Sequence, residues 1–254
     1  MTRLRAFRLH LIGSILVFLV FLGLMFFIWY PAPYFEINSG WTVLRILAGV
    51  DVVLGPLLTL IVFKPGKPSL KLDMSVILLM QGLALGYGAL IVYQQRPAFV
   101  VFVIDRFNVI AAAEVEFSKI KPQELKRNFQ IGPILAQARF PDDPKLHNDL
   151  LFGTIFGGER DLEFRAEYYE PYRPDLEQLR ARSVDLAKIA ALDAQAKQTI
   201  DAFLAQQRGR LEDYLYLPLQ GSKKDIVMAL SSTDGMPVSH ISINPWISHD
   251  PGAR

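Results

Sequence analysis

Hydrophobic and polar positions divide this chain at about residue 93. Before that point three apolar runs, Leu9–Tyr30, Trp41–Phe63 and Met74–Tyr93, are separated by short polar turns. At roughly 1.5 Å per residue, each is about long enough to cross a hydrocarbon core of about 30 Å. After Gln94 the runs shorten. AFVVFVIDRFNVIAAAEVEF is rich in Val, Ile and Phe and predicts one or two buried strands around Asp105–Asn108. Lys121–Asn128 reads as a short helix, and Ile134–Phe140 as a strand ended by a Pro-Asp-Asp-Pro turn. His147–Phe156 reads as a helix up to Gly157-Gly158. From Asp175 to Arg208, apolar residues from Leu176 to Phe203 recur at helical spacing. They predict one long helix with Asp175 as N-cap and Gly209 past its end, or two shorter ones if it restarts at Ser183. Tyr214–Leu219, Asp225–Ser231 and Val238–Ile243, separated by turn residues, predict an antiparallel meander. The expected fold is therefore a membrane protein: three transmembrane helices (residues 9–30, 41–63 and 74–93) followed by an α+β domain over 94–254. That domain is expected to hold a mostly antiparallel sheet and one long helix.

Charge orients the spans. Arg3, Arg5 and Arg8 precede the first run, and Lys64, Lys67 and Lys71 follow the second. The loop Pro31–Gly40 has neither Lys nor Arg. The positive-inside rule places the N-terminus and Lys64–Lys71 in the cytoplasm, so everything after Gln94 lies on the far side, the periplasm for a bacterial inner membrane. The first run is longer than a signal-peptide core and no small-x-small site follows it, which favours a retained anchor. No Gly-Phe-x-x-x-x-Glu junction precedes it, so a prepilin leader is disfavoured. Trp29 and Tyr30 fit an interfacial aromatic belt, and Pro31 ends the helix.

Composition narrows the chemistry. The chain has 254 residues and is 51% hydrophobic, with a net charge of only +2. That balance gives no sign of a nucleic-acid partner. There is no cysteine, which excludes thiol catalysis, disulfides and cysteine metal sites. His10, His147, His240 and His249 have no neighbours at metal-ligand spacing. No nucleophile elbow, phosphate-cradling loop or H-E-x-x-H occurs, so no cofactor and no catalytic residue is expected.

Asp51 is the sharpest feature. It lies roughly 15 Å into the second span, where a carboxylate costs roughly 2.5–3.5 kcal/mol on insertion scales. It must be neutral or face protein. Read functionally, it is a proton relay or a polar contact to a partner helix; read structurally, it is a protonated or hydrogen-bonded helix lock. Gln81 and Tyr87 in the third span bracket its depth, so either is placed to satisfy its carboxyl. Arg45 is six residues away, about 120° around the helix, and is expected to snorkel to the outer interface. Gly55-Pro56 follows Asp51, and the missing N–H of Pro56 leaves one carbonyl to be satisfied locally. Gly82-x-x-x-Gly86, beside Ala84-x-x-x-Gly88, lets helices approach closely, either within this bundle or with another membrane helix. Asp105-Arg106 reads as a local ion pair or turn. The cluster Tyr168–Tyr172 faces a partner or glycan, or simply lies under a loop.

Several of these stretches resemble the type IV pilin accessory proteins, the TfpX/TfpZ group. They are Arg45 with Ala48-Gly49-Val50-Asp51-Val52-Val53-Leu54-Gly55-Pro56-Leu57-Leu58-Thr59, then Leu70-Lys71-Leu72-Asp73, Gln81 with Ala84, Tyr87 and Gly88, and Arg96-Pro97 with Val103-Ile104-Asp105-Arg106-Phe107. The resemblance implies a non-enzymatic inner-membrane protein that supports pilus assembly or tunes extension against retraction. Its implied partners are a type IV pilin and inner-membrane pilus assembly proteins. It implies no catalytic residues. Pilins, in the same family context, carry a buried acid near the start of their hydrophobic helix, so Asp51 and a pilin acid would share a proton or a donor such as Gln81. The alternative from another class is a membrane enzyme that transfers glycan to pilin. A proton-coupled channel is weaker still, because no second charged residue lies deep in the spans.

Overall fold

The structure is a computed structural model that describes residues 2–38, 40–126, 131–141 and 143–247. The chain forms two compact units. Residues 1–35 and 39–96 make the first, and residues 36–38 with 97–254 make the second.

In the first unit, helix α1 spans Arg3–Leu24 and continues as a π-helical segment over Met25–Trp29. The hydroxyl of Thr2 accepts the Arg5 N–H at its start. A short helix α2, Tyr34–Ile37, follows Pro31. The second span is built in three pieces: α3 (Gly40–Ala48), a π-helical turn (Gly49–Leu54) and α4 (Gly55–Val62). Helix α5, Leu70–Gln94, is the third span. Arg3–Trp29, Leu44–Val62 and Leu70–Gln94 are long and apolar enough to cross a membrane, and the chain is a membrane protein. At one end of the bundle Trp29 stacks edge-on to Tyr93 at 5.4 Å, and the Tyr30 hydroxyl donates to the Val92 carbonyl at 2.9 Å. At the other, Lys67 pairs with Asp73 at 2.5 Å.

The second unit is a seven-stranded sheet in the order β4-β3-β1-β2-β5-β6-β7. The strands are β1 (Pro97–Val103), β2 (Arg106–Ala111), β3 (Ile134–Ala138), β4 (Tyr169–Pro171), β5 (Tyr214–Gln220), β6 (Ile226–Ser231) and β7 (Pro237–Ile241). The hairpin around Asp105 and the β5-β6-β7 meander form as the sequence predicts. The sheet is nevertheless mixed, not mostly antiparallel: β1 pairs with β3, and β2 with β5, in parallel. Both parallel neighbours return after long crossovers, which local hairpin signals cannot report. Both faces of β1 are covered, hence its near-continuous apolar run. Phe99, Val101 and Val103 pack on one face with Ile120, Leu125, Leu162 and Tyr169.

The expected long helix is three: α7 (Leu176–Arg182), α8 (Leu186–Leu192) and α9 (Ala194–Gln207). Asp175, Asp185 and Asp193 each cap the next helix through backbone N–H groups. These caps, with the Ser183 hydroxyl accepting the Tyr216 N–H at 2.9 Å, end a run that apolar spacing alone would continue. The left-handed residue closing α9 is Arg208, one before the expected Gly209. Helix α6 spans Pro144–Phe156 from an Asp143 cap. Within Lys121–Asn128, only a 3-10 turn at Gln123–Leu125 forms, and Arg127 and Asn128 lie outside the described residues.

Residues 36–38 come from the loop between the first two spans yet belong to this unit. The Lys223 N–H donates to the Ile37 carbonyl at 3.0 Å, and the Ser222 N–H to Asn38 Oδ1 at 3.1 Å.

Candidate functional site

The buried face of the second span reads Leu44, Leu47, Asp51, Gly55, Thr59 and Phe63. Asp51 is thus turned into the bundle and is only 5% exposed. The π-helical turn accounts for its backbone. Gly55 donates its N–H five residues back, to Val50. The same register would assign the Asp51 carbonyl to position 56, where proline has no N–H. Gln81 fills that role from the third span: its Nε2 donates to the Asp51 carbonyl at 3.2 Å. Gly55 is what admits it, since a Cβ there would run into the Gln81 amide. The carbonyl freed by Pro56 is therefore satisfied as the sequence requires, but by a neighbouring helix.

The carboxyl fares differently. Gln81 reaches the Asp51 main chain, not its side chain, and Tyr87 is 68% exposed on the outer surface of α5. Asp51 Oδ2 and Gln81 Oε1 are both buried without a hydrogen-bond partner among the described residues. Both residues line a groove of about 560 Å³. Its walls are a face of α1 that includes His10, Gly13 and Ser14, and a face of α5 that includes Leu78, Gln81 and Gly82. Thr59 lies in its floor, and its hydroxyl lies 2.5 Å from His10 Nδ1. Every strongly polar side chain of this groove sits on its three helices in an otherwise apolar lining.

Gly82 and Gly86 are exposed, and a Cβ on either would meet nothing within 4 Å. The close packing inside the bundle occurs at Gly88 instead, against the Leu47 side chain. Arg45 is exposed on α3. Asp105 and Arg106 form the local ion pair, at 2.8 Å, in the β1–β2 hairpin, with the guanidinium over Trp246. Of the tyrosine cluster, Tyr169 is in the core and the Tyr172 hydroxyl donates to the Gly235 carbonyl. His147 stacks on Phe140, and His249 lies outside the described residues. No metal-binding group of three ligating residues occurs among the described residues. Sequence reasoning missed His10, Ser14 and Thr59. The signal was present: His10 and Ser14 are one turn apart in an apolar run, and Thr59 lies two turns beyond Asp51 on the same face.

The family model of FimB, a fimbrial assembly protein, matches residues 1–39. Fimbrial assembly proteins of Dichelobacter nodosus are similar over more of the chain. The protein of serogroup E1 is 29% identical over 221 residues, 85% of each chain. That of serogroup I is 29% identical over 221 residues, again 85% of each. That of serogroups C1 and C2 is 35% identical over 109 residues, 42% of this chain and 83% of its own. The chain belongs to the fimbrial assembly protein family. Membership bears out the resemblance to type IV pilin accessory proteins, although the family model rests on the first span and loop, not on the Asp51 turn. No solved structure matches this fimbrial assembly family member.

Proposed function

We propose that the chain is a non-enzymatic inner-membrane accessory factor for type IV pilus biogenesis. It supports pilin assembly, or tunes extension against retraction, through contacts with the pilin or with inner-membrane pilus assembly proteins. The observation that carries this reading is a buried carboxyl with an unpartnered oxygen, facing a groove between membrane helices, in a member of the fimbrial assembly protein family. A polar group at such depth is costly unless something meets it. The relatives named above are fimbrial assembly proteins, which supports pilus proteins as the source of what meets it. The N-terminus is cytoplasmic and the α+β domain periplasmic, in keeping with the basic residues of the N-terminus and of Lys64–Lys71. The sharing of residues 36–38 with the α+β domain supports a first loop on the same side as that domain.

Asp51→Leu should abolish or sharply reduce surface pili and twitching at unchanged protein level, and Asp51→Asn should give an intermediate loss. Normal piliation in Asp51→Leu refutes the reading. Pilin purified with and without this protein should have one mass; a glycan-sized difference would favour the enzymatic alternative.

A further inference from the structure

The groove is bounded by two helix faces and floored by a third helix, which is the geometry of a four-helix bundle lacking one member. Its polar atoms are unevenly matched. Gln81 has already spent an N–H on the Asp51 carbonyl, and the two buried atoms left over, Asp51 Oδ2 and Gln81 Oε1, are oxygens. With Asp51 ionised both atoms only accept, so what completes them must bring hydrogen-bond donors. A saturated acyl chain brings none.

The glycines fix the shape of the occupant. Gly13 on α1 and Gly82 on α5 both line the groove, and neither has an atom within 4 Å of where a Cβ would stand. Gly86 continues the open edge one turn along. In lipid, such positions let a second backbone approach closely. By contrast Gly55 and Gly88, which the bundle uses for its own packing, are filled by Gln81 and Leu47.

We propose that this groove is a docking site for a partner's transmembrane helix that presents a hydrogen-bond donor (an amide, hydroxyl, ammonium or protonated carboxyl) to Asp51 Oδ2 and Gln81 Oε1. The inference rests on the reading of the chain as a membrane accessory factor, and adds the chemistry its partner must carry.

The test uses the full chain in nanodiscs. The absence of native cysteine allows one introduced at Lys64, exposed after the second span and outside the groove lining, to carry a unique fluorophore. The probes are two synthetic Leu/Ala helices of spanning length, one wholly apolar and one with a single central Asn, each carrying the acceptor dye. Energy transfer should report about tenfold tighter association of the Asn helix, the scale of one or two intramembrane hydrogen bonds. Asp51→Leu should erase that preference, while Asp51→Asn, which keeps an acceptor oxygen and the side-chain shape, should keep most of it. Gly82→Leu should block both probes, and since nothing stands near Gly82 the bundle itself tolerates the change. Equal association of the two probes overturns the proposal. So does association that Gly82→Leu leaves untouched, or a groove filled by lipid or by a second copy of this chain to the exclusion of both. Because no pilus protein is present, failure here leaves the piliation result to stand or fall separately.

Discussion

Gln137 in the α+β domain and Gln81 in the membrane bundle are the same side chain in two solvents. Gln137 is buried, and both ends are occupied. Its Nε2 donates to Glu170 Oε2 at 3.3 Å, and its Oε1 accepts the Arg173 N–H at 3.0 Å, tying β3 to β4 and the residues beyond. Gln81 has one end occupied and the other bare. Capping shows the same contrast: Asp143, Asp175, Asp185 and Asp193 in the α+β domain all accept backbone N–H groups, whereas Asp51 Oδ2 accepts nothing. Surface water can complete a group left open in a soluble domain. Lipid cannot, so an open acceptor in a bundle calls for another protein segment or an enclosed water. Among the described residues, the two buried side-chain polar atoms without a partner both lie in the bundle.

The first test of that contrast is Gly55→Val. Its side chain would collide with the Gln81 amide and push it off the Asp51 carbonyl. A loss of about 2 kcal/mol, mid-range for overpacking because the amide ends a flexible side chain, is expected when the full chain is unfolded by steric trapping in bicelles. A variant as stable as the parent would mean that the Gly55–Gln81 approach is not made. Next comes the matched pair of glutamines. Gln137→Leu strands the Arg173 N–H and should cost about 2 kcal/mol, read as faster hydrogen exchange along β3 and β4. Gln81→Leu should cost only about 0.6 kcal/mol, the average for an intramembrane hydrogen bond. Equal costs would break the comparison, since they would make Gln81 as complete a structural element as Gln137.

Much of this was legible in the sequence, for identifiable reasons. Membrane spans announce themselves because every lipid-facing position must be apolar, and hairpins do so because turn residues sit beside alternating strands. Asp51 and Pro56 were readable because both are costly in lipid. The partner of the carbonyl was not, since Gln81 lies thirty residues from Asp51 along the chain. The same limit hid the parallel pairing of β1 with β3, and the inclusion of residues 36–38 in the α+β domain. The three-way split of Asp175–Arg208 was hidden differently. Asp185 and Asp193 are solvent-facing acids by pattern and caps only by geometry, so periodicity ran through them.

The smallest effect concerns His240, where the attachment of residues 36–38 can be read by pH. Burial holds the His240 imidazole below its ordinary value, and Glu36 pulls it partly back up. In the unfolded chain the ring takes up its proton at about 6.5; in the folded domain it does so only at lower pH. Proton uptake therefore favours unfolding, and the stability involved is intact above about pH 6.5 and lost as pH falls towards the folded value. Hydrogen-exchange protection of β6 and β7 should decline over that window, and His240→Gln should flatten the decline. Glu36→Gln should deepen it, because the folded pKa then drops further from the unfolded one. Glu163 works in the opposite sense, since burial holds its carboxyl high and its contribution is lost as pH rises; the readout must therefore be local to β6 and β7. If Glu36→Gln leaves the pH dependence there unchanged, Glu36 does not act on His240, and the electrostatic part of the loop's attachment to the sheet fails.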